Sequence, residues 1–412
     1  MKTKNNDAYA VLRIKDFRSF VLARFLFTFG LQMQSVIVGW QVYEITKDPF
    51  ALGLIGLSEA IPFLCIALFA GYVADIVNRK KIIILANAVY LLCAAALFLL
   101  VFRFSYLFDS FHAFPVYIII FITGIARGFI FPAQSALMAQ LVPRELYANS
   151  TTWNSTFWHI ATVAGPAIGG LIYGFAGIKV AYLTVVVFVF ISLLLFMNIS
   201  KKPMPERLFT EGFFHKLTAG VRFVFKTQIL VSAISLDMLA VLFGGAVAML
   251  PVFAATILHV GPEGLGILRA GPAAGAVIMA LILAHFPLNH HAGKKLLWAV
   301  AGFGVCMILF AISNFFYLSL ILLMISGMFD NVSVIIRGTI LQLYTPDEMR
   351  GRVASVTSIF IGSSNEIGSF ESGLAARIMG LIPSVIFGGS MTLLVVAITS
   401  KLSPKLRSLH LK

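Results

Sequence analysis

The chain has 412 residues, of which 59% are hydrophobic and only 12% charged, with a mean hydropathy of +0.95. A soluble domain of this length needs far more polar surface, so composition places the protein in a lipid bilayer. The formal charge of +14 would suit nucleic acid only if it were gathered in one patch, and it is not.

Apolar runs long enough to cross about 30 Å of hydrocarbon recur along the whole chain. They fall at roughly 18–43, 50–73, 81–102, 115–141, 148–175, 178–199, 229–257, 263–286, 295–312, 315–342, 352–377 and 380–400. They predict an all-α membrane protein of twelve transmembrane helices. The glycines and prolines inside them do not argue against helix, because neighbouring helices satisfy the freed backbone groups. The first run is too long for a signal-peptide core, so no cleavable signal is expected.

The basic residues orient these spans. Most of the 31 Lys and Arg fall in loops on one side, including Lys2, Arg13, Arg79, Lys80, Lys81, Lys201, Lys202, Lys294, Lys295, Arg350 and Lys405. The other side has only Lys47, Arg103, Lys179 and Arg377, while Arg24, Arg127, Arg269 and Arg337 lie inside spans. That asymmetry follows the positive-inside rule and predicts cytoplasmic termini. It leaves no nucleic-acid surface.

The chain is built twice from one unit. Sliding it by 203 residues brings Gly124 onto Gly327, Pro143 onto Pro346, Gly165 onto Gly368, Gly170 onto Gly373 and Gly177 onto Gly380. Upstream the shift becomes 213, where Pro49 meets Pro262 and Gly53 meets Gly266. An extra stretch around Arg103–Phe114 accounts for the difference. Two six-helix pseudo-symmetric halves, 1–200 and 229–412, are therefore expected, the design of an alternating-access carrier.

Between the halves, 201–228 reads as a cytoplasmic linker. It opens on Lys-Lys-Pro-Met-Pro, which stops the preceding helix. Phe213, Phe214, Leu217, Val221 and Val224 then share one helical face, which predicts a helix lying along the membrane surface. Cys65, Cys93 and Cys306 all lie in apolar spans without metal-ligand spacing, so neither disulfides nor a metal is expected.

At Gly71 the sequence resembles a known family. Gly71-Tyr-Val-Ala-Asp75-Ile-Val-Asn-Arg79-Lys80-Lys81 is similar to the signature loop of the major facilitator superfamily. In that family the loop latches the two halves on the inner side, its Asp directed at the start of the eleventh helix. Here that start is Thr345-Pro346-Asp347-Glu348, a capping box with Pro at the first helical position. The second half's counterpart, His285–Lys294, keeps the charge and lacks the Asp.

A second motif resembles exporters of the superfamily. Ala161-Thr-Val-Ala-Gly165-Pro166-Ala-Ile-Gly169-Gly170 is similar to their fifth-helix motif, with Ala in place of its first Gly. Small residues at this spacing let helices approach closely, and Pro kinks the segment. The resemblance implies export of a substrate against entry of a proton. With Asp48-Pro-Phe-Ala-Leu-Gly and the Pro-Asp-Glu-Met-Arg-Gly-Arg352 run, it points to the drug and siderophore exporter branch.

Charges inside spans are costly and mark candidate sites. Arg24 aligns with Asp237 at shift 213, and Arg127 with Asp330 at shift 203. The family places spans 1, 4, 7 and 10 around a central cavity, so each Arg would share a depth with an Asp across the pseudo-twofold axis. Glu366 is a third carboxyl candidate. It has no repeat-related Arg, and is therefore expected to protonate most easily. Arg127 departs from the family pattern, being followed directly by Gly128. Glu59, as a partner for Arg269, and His159 are lesser candidates. Gln32, Gln34 and Asn365, with Met33 and Phe25, are expected on the cavity wall.

No Gly-x-x-x-x-Gly-Lys-Ser/Thr loop and no His-Glu-x-x-His run occurs, which argues against an ATP-driven pump and a metalloenzyme. The expectation is a monomeric, proton-coupled exporter of a small organic molecule, without cofactor or catalytic residues. Proton-coupled import is the alternative.

Overall fold

The computed structural model describes residues 9–200, 202, 213–286, 291–346 and 349–409. Among these the chain is helical, with no strand. Ten helices are long and apolar enough to cross a membrane. The remaining two of the expected twelve arise for separate physical reasons. The run Tyr147–Met197 is interrupted at Gly177, with φ 85° and ψ 166°, so it is two helices. Arg350–Met379 is long enough to cross but too polar to register as an apolar span.

The spanning helices are α1 (Lys15–Thr46), α2 (Pro49–Ile76), α3 (Arg79–Phe102), α4 (Phe114–Leu141), α5 (147–176) and α6 (178–197). The second set is α7 (Gln228–Gly244), α8 (Pro262–His285), α9 (Ala292–Ile312), α10 (Phe316–Leu343), α11 (Arg350–Met379) and α12 (Leu381–Leu402). Large apolar side chains such as Phe175, Trp298 and Ile378 are exposed, as expected of a surface solvated by lipid tails. The molecule is a multi-pass membrane protein with the twelve-helix major facilitator fold.

Contacts gather the chain into two compact units, Met1–Val38 with Ile61–Leu208, and Gly39–Ala60 with Phe209–Lys412. The expected cut near residue 200 is thus joined by a second feature that the sequence did not suggest. The end of α1 and the start of α2 cluster with the second unit. The first unit's core gathers Phe17, Phe20, Ile83, Leu137 and Phe196 from α1, α3, α4 and α6. The second gathers Leu230, Leu236, Leu296, Ile336 and Ile340 from α7, α9 and α10.

Two elements depart from expectation. The seventh span is not one regular helix. α7 ends at Gly244, a 3-10 turn follows at Ala246–Met249, and a π-helical turn at Phe253–Ile257. Gly245, at ψ 51°, and Pro251, which lacks an N–H, interrupt the regular ladder. The linker does form a helix, Phe213–Lys226, yet Val224 is 2% exposed and packs on Ile234 of α7 and Val353 and Val356 of α11. Val224 is thus covered by protein, while Phe225 is exposed. The side chains of Phe213, Phe214 and Leu217 lie outside the described ones.

Candidate transport site

Asp237, near the middle of α7, forms an ion pair with Arg337 of α10. Both side chains are 7% exposed, so each charge is tolerated in the apolar interior because the other neutralises it. Asp330 stands seven residues before Arg337. At 100° per residue that spacing returns it to nearly the same face of α10, about 10 Å away. Asp330, Ser333, Phe329 and Asp237 line one small crevice with Phe303 and Val300 of α9. Among the described residues Asp330 has no hydrogen-bond or ion-pair partner, and the buried hydroxyl of Ser333 beside it has none either. The pairing of Asp237 with Arg337 was missed in the sequence. The i, i+7 spacing of Asp330 and Arg337 shows only that those two share a face of α10, not which helix meets them.

Arg24 of α1 donates to Asn154 Oδ1 of α5 at 2.9 Å. One residue on, the Phe25 ring meets Phe157 at 5.6 Å, and Phe157 meets Trp153 at 5.9 Å. The guanidinium of Arg127 on α4 lies 5.7 Å from the Phe63 ring centroid on α2. Within their own units, then, Arg24 has a neutral partner and Asp237 a guanidinium that repeat alignment did not nominate.

The fifth-helix motif packs α5 on α1. A Cβ added at Gly165 would lie 2.8 Å from Gln32 Cβ and 3.1 Å from the Phe29 carbonyl oxygen, and one at Gly169 would lie 2.9 Å from Met33 Cα. Only glycine permits that approach. The second unit repeats the notch: a Cβ at Gly368 would lie 2.8 Å from the Leu242 carbonyl oxygen. Gly368 is Gly165 shifted by 203, and Leu242 is Phe29 shifted by 213. Pro166 and Gly170 are buried in the same helix. Met33 and Gln34 are buried at 0% and 3% exposure, Met33 against Gly169. Gln32 is half-buried, and Asn365 is exposed and donates to the Ile361 carbonyl at 3.0 Å. His159 is half-buried with its ring 5.0 Å from that of Trp158.

Glu366 of α11 is not without a basic partner. Arg269 of α8 interacts electrostatically with Glu366 and, more weakly, with Glu59 of α2. Glu366 has no repeat-related Arg, and the guanidinium it meets comes from a helix that the repeat does not relate to it.

Of the signature loop, the side chains of Gly71 and Asp75, and the helix start at Asp347 and Glu348, lie outside the described residues. Its basic residues are described. Lys80 Nζ donates to the carbonyls of Ile199 and, at 2.9 Å, Met197, at the end of α6. Arg79 donates to the Ala136 carbonyl of α4 at 3.4 Å. Lys80 thus sits at a helix C-terminus, where the backbone dipole favours positive charge. Asn78 caps α3 by accepting from the Lys81 amide at 3.3 Å. Among the described residues no group of three His, Cys, Asp or Glu is placed to hold a metal.

Glycine-notched helix pairs repeated in two units, with ionised groups buried in the spans, define a membrane transporter of the major facilitator type, not an enzyme. Residues 6–410 match the transmembrane secretion effector family, and the chain belongs to it. Among curated relatives it is 26% identical over 378 residues to the enterobactin exporter EntS of Salmonella choleraesuis (strain SC-B67), covering 90% of this chain and 88% of that one. It is 25% identical over 384 residues to the enterobactin exporter EntS of Shigella flexneri, covering 92% and 89%. Among solved structures, a D-xylose-proton symporter superposes with a TM-score of 0.74 at 14% identity, covering 97% of this chain and 100% of that one. A bacterial homologue of the human lysosomal transporter Spinster gives 0.72 at 15%, covering 95% and 98%. At such identities the structural likeness speaks for the fold alone.

Proposed function

We propose that the protein is a monomeric, proton-driven exporter of a small organic compound, a siderophore or an amphipathic drug-like molecule, in a bacterial inner membrane. Its termini are cytoplasmic in this reading, which the basic loops support. Export is supported by the fifth-helix motif and by the relatives named as enterobactin exporters. The observation that carries proton coupling is Asp330, a carboxyl group without a partner among the described residues, in a crevice beside the neutralised Asp237–Arg337 pair. A proton arriving there has an acceptor whose charge no fixed cation holds. In the next step of the cycle Asp330 competes with Asp237 for Arg337, which lies on its own face of α10. Asp75 and Gly71 serve as the cytoplasmic gate, with Arg79 and Lys80 anchoring the ends of α4 and α6.

The test is transport in proteoliposomes driven by a pH gradient, with Asp330→Asn and Asp237→Asn. Both substitutions should abolish gradient-driven export, while passive exchange of substrate survives in at least one. Normal gradient-driven rates in both variants would overturn the assignment of coupling to this crevice. Uptake into the cytoplasmic compartment would overturn the direction.

A further inference from the structure

Arg24 stands about 14 Å along α1 from Lys15, well inside the membrane-spanning part of the helix. A guanidinium at that depth needs a counter-charge. Its described partner is Asn154 of α5, whose amide oxygen accepts from Nη1 at 2.9 Å. That oxygen fills one of the N–H donors and supplies no negative charge. The described carboxylates of the first unit are occupied or elsewhere. Asp16, earlier on α1, is taken by Lys202 and Ser200. Asp109 and Glu145 are exposed outside the spans, and the side chain of Asp75 lies outside the described residues. Arg127, the other described cation deep in this unit, lies over the Phe63 ring and adds positive charge, not negative.

The surroundings of Arg24 are aromatic. Phe25, next in α1, meets Phe157 at 5.6 Å, Phe157 meets Trp153 at 5.9 Å, and Trp153 meets Tyr9 at 5.6 Å. Trp158 is one turn beyond Asn154 on the same face of α5 and is 42% exposed. Beside that face Thr151, Thr152, Ser155 and Thr156 are exposed as well. A run of hydroxyl side chains is out of place against lipid tails, so this stretch of α5 meets water. A solute arriving along it finds a cation, amide donors and ring surfaces together.

We propose that Arg24 and Asn154 form a binding site for a planar aromatic anion, such as an aryl carboxylate, with Phe25, Phe157, Trp153 and Trp158 supplying ring contacts. The proposal rests on the exporter reading above and narrows its substrate class. A carboxylate accepts two parallel N–H bonds from a guanidinium, and its charge cancels the one that Asn154 leaves standing. Asn154 has its oxygen on Arg24, so its N–H2 group, without a partner among the described residues, is a further donor to the anion. Rings carried by the ligand stack on the neighbouring aromatics or meet them edge-on, which adds to the area buried. A cationic amphiphile gains the ring contacts but sets like charge beside Arg24, so the site discriminates against it.

The experiment is isothermal titration calorimetry of the full chain in detergent with three probes: 1-naphthoate, its neutral counterpart 1-naphthamide, and the saturated decalin-1-carboxylate. Naphthoate should bind at least about tenfold more tightly than either, because one lacks the charge and the other the π face. Arg24→Gln should remove the preference for naphthoate over naphthamide. Arg24→Lys should keep that preference at weaker affinity, because an ammonium offers no planar fork. Phe157→Leu should narrow the gap between naphthoate and decalin carboxylate. Equal affinities of the unsubstituted chain for naphthoate and naphthamide would overturn the proposal, as would an undiminished preference in Arg24→Gln. The first comparison needs no variant, so it decides the matter even where Arg24→Gln fails to fold. Binding is read without vesicle or gradient. Intact naphthoate binding beside absent export therefore counts against the exporter reading, and export without naphthoate binding counts against this site.

Discussion

Gly177 and Gly380 stand 203 residues apart and hold the same backbone conformation, φ 85° with ψ 166° and φ 91° with ψ 162°. Each ends one membrane helix and starts the next without a loop. That region of backbone space is open essentially to glycine alone. A Cβ on Gly177 would meet nothing within 4 Å, and one on Gly380 only Pro383 Cδ at 3.7 Å. The glycines are therefore required by torsion and not by space. Gly177→Ala and Gly380→Ala should each destabilise the protein by about 1–3 kcal/mol. Thermal unfolding in detergent measures this, and similar losses at both sites are expected. Unchanged melting in either would contradict the torsional account.

The Asp237–Arg337 pair predicts a non-additive result. Removing either partner strands the other charge in an apolar setting, at a cost of about 3–5 kcal/mol. Asp237→Asn and Arg337→Gln should each lower the folded yield and melting temperature sharply. The double variant should be more stable than either single one. If the double variant loses the sum of the two, the residues do not neutralise each other.

At the α1–α5 contact the nearest obstacle to a Cβ on Gly169 is the Met33 Cα, at 2.9 Å. Gly169→Ala should therefore reduce the yield of monodisperse protein and slow transport. Met33→Ala should fail to restore it, because the clash is with backbone. Full rescue by Met33→Ala would place the constraint on the side chain instead.

Lys80 holds the carbonyls at the end of α6. Lys80→Ala should cost about 0.3–1 kcal/mol, and Lys80→Glu more, because a carboxylate faces the negative end of a helix dipole. Equal melting temperatures for the two variants would remove the dipole from the explanation.

How far the sequence carried can be read from these residues. Apolar length marked the spans, and repeat-related glycines marked both abrupt turns and both notches, since turn torsion and close approach leave a residue-type signature. Residues 352–377 read as an apolar run like the others, although Arg350–Met379 is the most polar of the spans. The partners of the charges were not legible. Arg337 meets Asp237 across 100 positions of chain, and Arg269 meets Glu366 and Glu59 from a third helix. Such pairings depend on rotation of packed helices, which the periodicity of a uniformly apolar helix does not fix. The break after α7 was hidden for a related reason, because Gly and Pro also occur within unbroken membrane helices.

The borders of residues 39–60 fall at Gly39 in α1 and between Ala60 and Ile61, beside Pro62 in α2. These are the two residue types that a helix accommodates least well. Pro62 has no amide hydrogen to offer the Ser58 carbonyl one turn back, so the ladder of α2 is one rung short where the helix passes from one unit to the other. A rod with a missing rung bends there first. Flexing at that point leaves the remaining rungs intact, so α2 can bend at Pro62 without unwinding.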